Sequence, residues 1–355
     1  MGAGSVLVGM SGGVDSSVTA CLLAERGYEV VGTHLELVAS EAGLDHACCG
    51  PTARADAAAV AAIGGFPFEV VDMRATFEAT VLADFVGEHA AGRTPNPCAR
   101  CNEQIKFGAF LRRAEDLGVD FVATGHYVRT RRDADGWHLL RGLDRAKDQS
   151  YMLHGLGQAE LARSLFPVGG MSKAETRAHA VRFGLPVADK PDSQEVCFVA
   201  GDHGDFLAAR APHLERTGEV VDVEGRRLAD HAGTFRFTVG QRRGLGVSTP
   251  EPSYVLEIDA ARDRVVVGPG ELLARRGLVA DRARWTAGSA PVGPFEADVQ
   301  LRYRGDAAPA VIETVGAEVR VSFRTPQRGV APGQSVVVYR GEELLGGARI
   351  LRSVA

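Results

Sequence analysis

One segment constrains this chain more than any other. The short apolar run Ser5–Met10 leads into Ser11-Gly-Gly-Val-Asp-Ser-Ser17 and then into Asp15–Arg26, where Val18, Cys21, Leu22 and Leu23 recur at helical spacing before Gly27. The run is strand length, and the periodicity is that of a helix with one apolar face. Glycines in the connection let backbone N–H groups turn inward, the helix N-terminus adds partial positive charge, and Ser16 and Ser17 offer hydroxyl donors. The loop is therefore an anion site. It is not a Walker loop, because no Lys-[Ser/Thr] follows, and it is not G-x-G-x-x-G.

The strand–helix alternation continues. Strands are expected at Glu29–Leu37, Phe68–Asp72 and Phe121–Thr124, and helices at Thr52–Ile63, Ala75–Ala91 and Glu103–Leu117. This order implies a parallel sheet wound by helices, with ligands at the carboxyl ends of its strands. Two long loops interrupt it, Ala39–Pro51 with Cys48 and Cys49, and Gly92–Asn102, whose prolines disfavour helix. Tyr127–Gly142 reads as a hairpin about Asp135-Gly136, and Ser172–Phe183 opens with the capping box Ser172-x-x-Glu175.

From about Thr217 short alternating segments take over, among them Phe235–Val239, and further strands after Gly277–Trp285 suggest a terminal antiparallel barrel. The expected division is residues 1–200, an α/β nucleotide-binding catalytic domain, 201–278, a small β-rich adaptor, and 279–355, a C-terminal β-barrel. A chain of 355 residues is too long for one ordinary core. With 45% hydrophobic and 24% charged residues and no apolar run near bilayer length, it reads as soluble and cytoplasmic. A net charge of -5 argues against a generally basic nucleic-acid coat but leaves local basic patches open.

Six cysteines in a chain this long are no disulfide scaffold. Cys98 and Cys101 form C-x-x-C, and Cys197 lies in Asp192-Ser-Gln-Glu-Val-Cys-Phe198. A structural zinc site wants two closely spaced pairs, a spacing that Cys48-Cys49 lacks. Two other readings stand: a cluster held by three thiols with one iron corner free, or sulfur chemistry in which one thiol carries a persulfide and another attacks or resolves it.

The anion loop resembles the pyrophosphatase loop of ATP-cleaving adenylation enzymes. That likeness implies ATP on Gly9, Met10, Ser11, Gly12, Gly13, Val14, Asp15 and Ser16, with Asp15 near Mg²⁺ and Leu35 and Gly125 by the adenine and ribose. Six motifs occur in order: Gly9–Ser17, Thr94-Pro-Asn-Pro-x-x-x-Cys-Asn102, Ile105-Lys-Phe107, Ala123-Thr-Gly-His-Tyr127, Lys147-Asp-Gln-Ser-Tyr151 and Gly240-Gln-Arg-Arg243. Together they resemble the bacterial tRNA-specific 2-thiouridylases, the wobble-uridine 2-sulfurtransferases, over essentially the whole chain.

The resemblance implies 2-thiolation of uridine 34: ATP adenylates O2 with release of pyrophosphate, Cys197 carries a persulfide charged by a sulfur-donor protein, and Cys101 is the nucleophile that draws on that sulfur. A transient Cys101–Cys197 disulfide is implied with it. Asn96, Pro97 and Cys98 would meet the target base, and His126, Lys147, Asp148, Gln149, Arg302, Tyr303 and Gln334 the tRNA, of the Lys, Glu and Gln types. Arg129-Thr-Arg-Arg132 and Arg242-Arg243 would extend the positive surface. The chain departs from the pattern at Cys98, where many relatives carry an Asp after Pro-Asn-Pro. That keeps open a [4Fe-4S] cluster on Cys98, Cys101 and Cys197. The rival functions are an amide-forming synthetase of the same fold, for which no N-terminal glutaminase cysteine is found, and a non-catalytic iron–sulfur or RNA-binding protein.

Overall fold

The computed structural model describes residues 3–38, 50–192, 196–199, 201–248 and 251–355. Most of the loop expected at Ala39–Pro51, with Cys48 and Cys49, and Ser193–Glu195 of the second thiol motif lie outside the described residues.

The N-terminal part runs β1 (Ser5–Gly9), α1 (Val14–Glu25), β2 (Glu29–Glu36), α2 (Pro51–Gly64), β3 (Phe68–Asp72), α3 (Ala83–Ala90), α4 (Pro97–Cys101), α5 (Phe110–Asp116) and β4 (Phe121–Ala123). A hairpin of β5 (Val128–Asp133) and β6 (Gly136–Arg141), then β7 (Ser164–Leu165) and α6 (Lys173–Arg182), follow. The sheet has the order β3-β2-β1-β4-β7, parallel throughout. Side chains on β1 alternate between two cores: Val6 and Val8 pack with Val18, Leu22 and Leu23, while Leu7 packs with Phe107, Phe110 and Leu111. Burial on both faces is why the strand reads as one continuous apolar run. The order reverses between β1 and β4, and the crevice at their carboxyl ends is where such sheets bind ligands.

The middle sheet is β8 (Gly218–Val221), β9 (Arg227–His231), β10 (Ser253–Asp259) and β11 (Arg264–Pro269) in the order β10-β11-β8-β9. The strand expected at Phe235–Val239 is instead a 3-10 turn, Thr234–Arg236. Phe235 and Phe237 mimic strand alternation but serve different cores: Phe235 packs with Phe77, Phe85 and Phe198, and Phe237 with Val220, Val255 and Val265.

The C-terminal strands are β12 (Arg275–Trp285), β13 (Phe295–Gln300), β14 (Ala308–Val315), β15 (Glu318–Gln327), β16 (Ser335–Arg340) and β17 (Glu343–Val354). They pair antiparallel as β12-β15-β14-β13-β16-β17, and β12 also pairs with β17, which closes the barrel. Closure removes both sheet edges. β17 also pairs with β6, so the N-terminal hairpin extends this sheet.

The seam between barrel and α/β unit is polar and specific. Tyr151 donates to Ser335 O at 2.8 Å, the His154 and Ser335 side chains are 2.9 Å apart, and the Arg141 guanidinium lies 3.5 Å over the Tyr339 ring. Glu88 is buried and takes Arg93 at 2.6 Å and Arg349 of β17 at 2.5 Å, and Arg349 also binds Asp281 at 2.5 Å.

His138 on β6 bridges Glu343 and Asp133, each at 2.8 Å, and those two hydrogen bonds raise its pKa above the ordinary histidine value. A raised folded-state pKa contributes stability that is present below the unfolded value and lost as pH rises through the folded one. The destabilisation caused by His138→Gln is therefore expected to be larger at pH 6 than at pH 9. Equal losses in urea unfolding at both pH values would count against a charged imidazolium there.

Candidate functional site at the sheet switch point and the thiol turn

Gly12 has φ +67°, and a Cβ on it would stand 2.3 Å from Ala53 O, so the turn after β1 admits only glycine. Gly125, in the loop after β4, is equally bound: a Cβ there would meet Ser16 N at 2.6 Å. The two loops, far apart in sequence, thus press together at the first turn of α1. Ser16 Oγ lies 3.2 Å from Ser11 N and holds the loop closed. Ser17, expected to be an outward donor, is fully buried and donates to Gly13 O at 2.8 Å. It braces the loop instead of facing the crevice. Leu35 is half-buried at the end of β2, where it joins two of the cores.

Charges gather around this loop from distant parts of the chain. Asp15 accepts from Lys173 Nζ at 2.7 Å and from Tyr127 Oη at 2.8 Å. Lys173 also meets Asp192 at 2.7 Å, and Asp192 pairs with Lys147 at 2.7 Å. Burial pushes the Asp192 carboxyl up, but its bonds to Lys147 and Lys173 outweigh that and hold it below the ordinary value. Lys190 Nζ donates to Gly12 O at 3.0 Å and to Asp56 at 2.6 Å. Sequence reading missed Lys173 and Lys190. The one local signal was the Ser172–Glu175 capping box, which is formed and places Lys173 in the first turn of α6.

The Gly92–Asn102 segment is not loop throughout. Pro97–Cys101 is a short helix with Pro97 in its first turn, and the Asn96 side chain caps it by accepting from Ala99 N at 3.2 Å. Proline in the first turn forfeits only an N–H that has no helical partner, so Pro-Asn-Pro starts a helix here. The turn is held at both ends: Asn96 Nδ2 reaches Met152 Sδ at 3.4 Å, and Asn102 Nδ2 donates to Met152 O at 3.0 Å.

Cys101 points into an apolar cluster with Phe77, Ile105 and Phe198, and Cys197 packs against the same cluster. Phe198, next to Cys197 in the chain, is anchored by Phe77, Phe85 and Phe206 at centroid distances of 5.4, 5.5 and 5.6 Å. Two thiols remote in sequence therefore converge on one cluster. Burial pushes the Cys101 thiol up to about 11, against the pull of Lys106, and raises Cys98 in the same way. Both rest as protonated thiols at neutral pH. Among the described residues no group of three or more His, Cys, Asp or Glu side chains is arranged to hold a metal ion. Cys98, Cys101 and Cys197 thus do not form the three-thiol cradle that a cluster requires.

The residues expected to face RNA are scattered in role. His126 is buried with Nδ1 2.8 Å from Thr124 Oγ1, and burial holds its pKa well below the ordinary value. Asp148 binds Arg141, Gly142 N and Ser150, and Gln149 Oε1 accepts from Tyr127 N at 3.0 Å. Lys147 borders the charged network. Arg302 is exposed on the barrel, and Tyr303 has its ring 6.5 Å from that of Tyr151. Gln334 turns inward, to Thr94 and Pro95. Of the arginines expected to widen the positive surface, Arg129 pairs with Glu342 at 2.6 Å and Arg131 with Asp133 at 3.3 Å, while Arg242 and Arg243 are exposed.

The parallel sheet, its glycine loop and the attached barrels define a class. Residues 4–201 match the family described as tRNA methyl transferase HUP domain, 204–269 the tRNA methyl transferase PRC-barrel domain, and 275–350 the aminomethyltransferase beta-barrel domain. Relatives named tRNA-specific 2-thiouridylase MnmA share 48% identity in Geobacter metallireducens, over 97% of this chain and 96% of that one, and 49% in Acidothermus cellulolyticus, over 98% of both. A solved NMN synthetase from Francisella tularensis aligns at TM-score 0.36 and 17% identity, over 54% of this chain and 67% of that one. The chain belongs to the tRNA-specific 2-thiouridylase family. No helix among the described residues is long and apolar enough to cross a membrane.

Proposed function

We propose that this protein thiolates C2 of the wobble uridine of tRNA, using ATP to activate O2 and a cysteine persulfide as the sulfur source. The observation that carries the reading is the convergence of Cys101 and Cys197 on one cluster, in a chain whose anion loop lacks a Walker lysine. Loss of that lysine argues against γ-phosphate transfer. Uracil O2 attacks the α-phosphorus, pyrophosphate departs, and C2 bears AMP as a leaving group. A sulfur-donor protein converts Cys197 to the persulfide. Cys101, as thiolate, attacks the Cys197 Sγ and releases hydrosulfide, which adds at C2 and expels AMP. In a second order of events the persulfide sulfur attacks C2 first, and Cys101 then attacks Cys197 Sγ to free the thiouridine. Either way a Cys101–Cys197 disulfide remains, and a dithiol returns it with two electrons.

The target base must leave its stack to reach the turn carrying Asn96, Pro97 and Cys98. Cys98 stands where the resemblance gives Asp in many relatives, so a half-buried thiol replaces a carboxylate there. Asp15, whose two oxygens accept from Lys173 Nζ, is the carboxylate that would hold Mg²⁺ together with substrate phosphates, and the ion would supply positive charge to the departing pyrophosphate. A [4Fe-4S] cluster does not fit, for want of a three-thiol cradle among the described residues, and no step is assigned to one.

Lys173 supplies a cation to the loop from outside it. Removing one charge-assisted partner of a phosphate group costs about ten- to a hundredfold in affinity. Lys173→Met should raise the KM for ATP by that factor, with tRNA binding unchanged; an unaltered KM for ATP would show that Lys173 only neutralises Asp15. The reading as a whole is tested by nucleoside mass spectrometry of tRNA from a thiolation-deficient strain carrying the wild-type chain. Absence of 2-thiouridine overturns it.

A further inference from the structure

Gln334 lies in the barrel turn 331–334, between β15 and β16. Its Nε2 donates across the seam to the carbonyl oxygens of Thr94 at 2.8 Å and Pro95 at 3.2 Å. The same turn accepts from Thr94 N at Pro332 O, 2.8 Å. The turn itself is pinned to β17, because Gly333 N donates to Ile350 O and Ile350 N to Gln334 O, each at 2.8 Å. Gly333 has φ +91°, and a Cβ on it would stand 2.8–2.9 Å from the Thr94 backbone. The middle unit touches the same spot through Thr238 Oγ1, 3.3 Å from Thr94 Oγ1. Pro95 and Pro97 have no N–H, so past the Thr94 N–H the barrel holds this stretch by its carbonyls. The residue after Pro95 is Asn96, the cap of α4.

We propose that Gln334 is a positioning residue: by gripping the Thr94 and Pro95 carbonyls from the barrel, it sets the placement of α4 and so of Asn96, Cys98 and Cys101. In giving that turn its part in the reaction, the inference rests on the thiolation reading above. The barrel then does more than offer a surface to RNA. It completes the thiol turn from outside, and a chain with its barrel displaced carries both thiols on an ungripped turn. The amide has two N–H donors for two carbonyls, a match that neither a carboxylate nor a thioether can reproduce.

Gln334→Met keeps the length and removes both donors, while Gly333→Ala wedges the turn from Thr94 and leaves Gln334 in place. Two measurements apply to each. One is iodoacetamide modification of Cys101 followed by peptide mass spectrometry, without tRNA or ATP. The other is steady-state thiolation. Losing two neutral hydrogen bonds should speed Cys101 alkylation about tenfold and lower kcat about tenfold, with the KM for ATP and tRNA unchanged and thermal melting still cooperative. A rise in the KM for tRNA with kcat and alkylation unchanged would make Gln334 an RNA contact and overturn the proposal, as would unchanged alkylation and kcat in both variants. Because alkylation needs no turnover, it reads the grip even where wild type yields no 2-thiouridine, so the two readings fail separately.

Discussion

Cys197→Ser is expected to abolish 2-thiouridine formation, by on the order of 10³-fold or more, while ATP-dependent release of pyrophosphate in the presence of tRNA continues. Serine fills nearly the same space but cannot carry a second sulfur, so the chain activates O2 and then has nothing to deliver. Cys101→Ser is expected to lose product to the same degree, with a different residue of chemistry: the variant still accepts sulfur on Cys197 and holds it there. Labelled sulfur retained on the Cys197 peptide of Cys101→Ser, and on no peptide of Cys197→Ser, separates carrier from nucleophile. Either serine variant making product at the wild-type rate would sink the relay. The buried, high-pKa state of Cys101 adds a condition. A thiol at about 11 is almost wholly protonated at pH 8, so the proposed relay requires that substrate binding favour the Cys101 thiolate. In the free protein its alkylation should climb between pH 9 and 11.

How much of this was legible in the residues depended on how local each cause was. The loop after β1, the parallel sheet, the hairpin about Asp135-Gly136 and the barrel follow from glycine placement and periodicity within short windows. The α4 helix does not, because Pro-Asn-Pro looks like a helix breaker while Pro97 occupies the one part of a helix that tolerates it. Phe235 and Phe237 misled for a related reason: two buried aromatics two residues apart look like a strand, whatever core each one enters. Lys190 carries no local signal, Lys173 only the capping box of Ser172, and Phe198 only its place after Cys197; what brings them to the site is the packing of later segments on the first part of the chain. The same holds for the union of β6 with β17. The resemblance marks Gln334 for tRNA, and only the tertiary structure turns its amide to Thr94 and Pro95.

Glu88→Ala should destabilise the protein by about 1.5–3 kcal/mol, because the half-buried Arg93 loses its carboxylate and Arg349 is left with Asp281 alone. Burial pushes the Glu88 carboxyl up, but the hydrogen bond from Arg93 and the charges of Arg349 and Arg282 outweigh it and hold it below the ordinary value. A depressed folded-state pKa means stability present above the unfolded value and lost as pH falls through the folded one, so the seam weakens in acid. Arg93 immediately precedes Thr94, whose backbone the barrel turn grips, and Arg349 stands on β17 beside Ile350, which pins that turn. Glu88 therefore ties the root of the thiol turn and the strand that grips it to one carboxylate. Urea unfolding of Glu88→Ala is expected to begin with undocking of the barrel, seen as a fluorescence change at Trp285 of β12 below the main transition. Cys101 alkylation should rise over the same urea range. A loss under about 1 kcal/mol, typical of an exposed pair, would show that water reaches this carboxylate and that the grip on Thr94 stands without it.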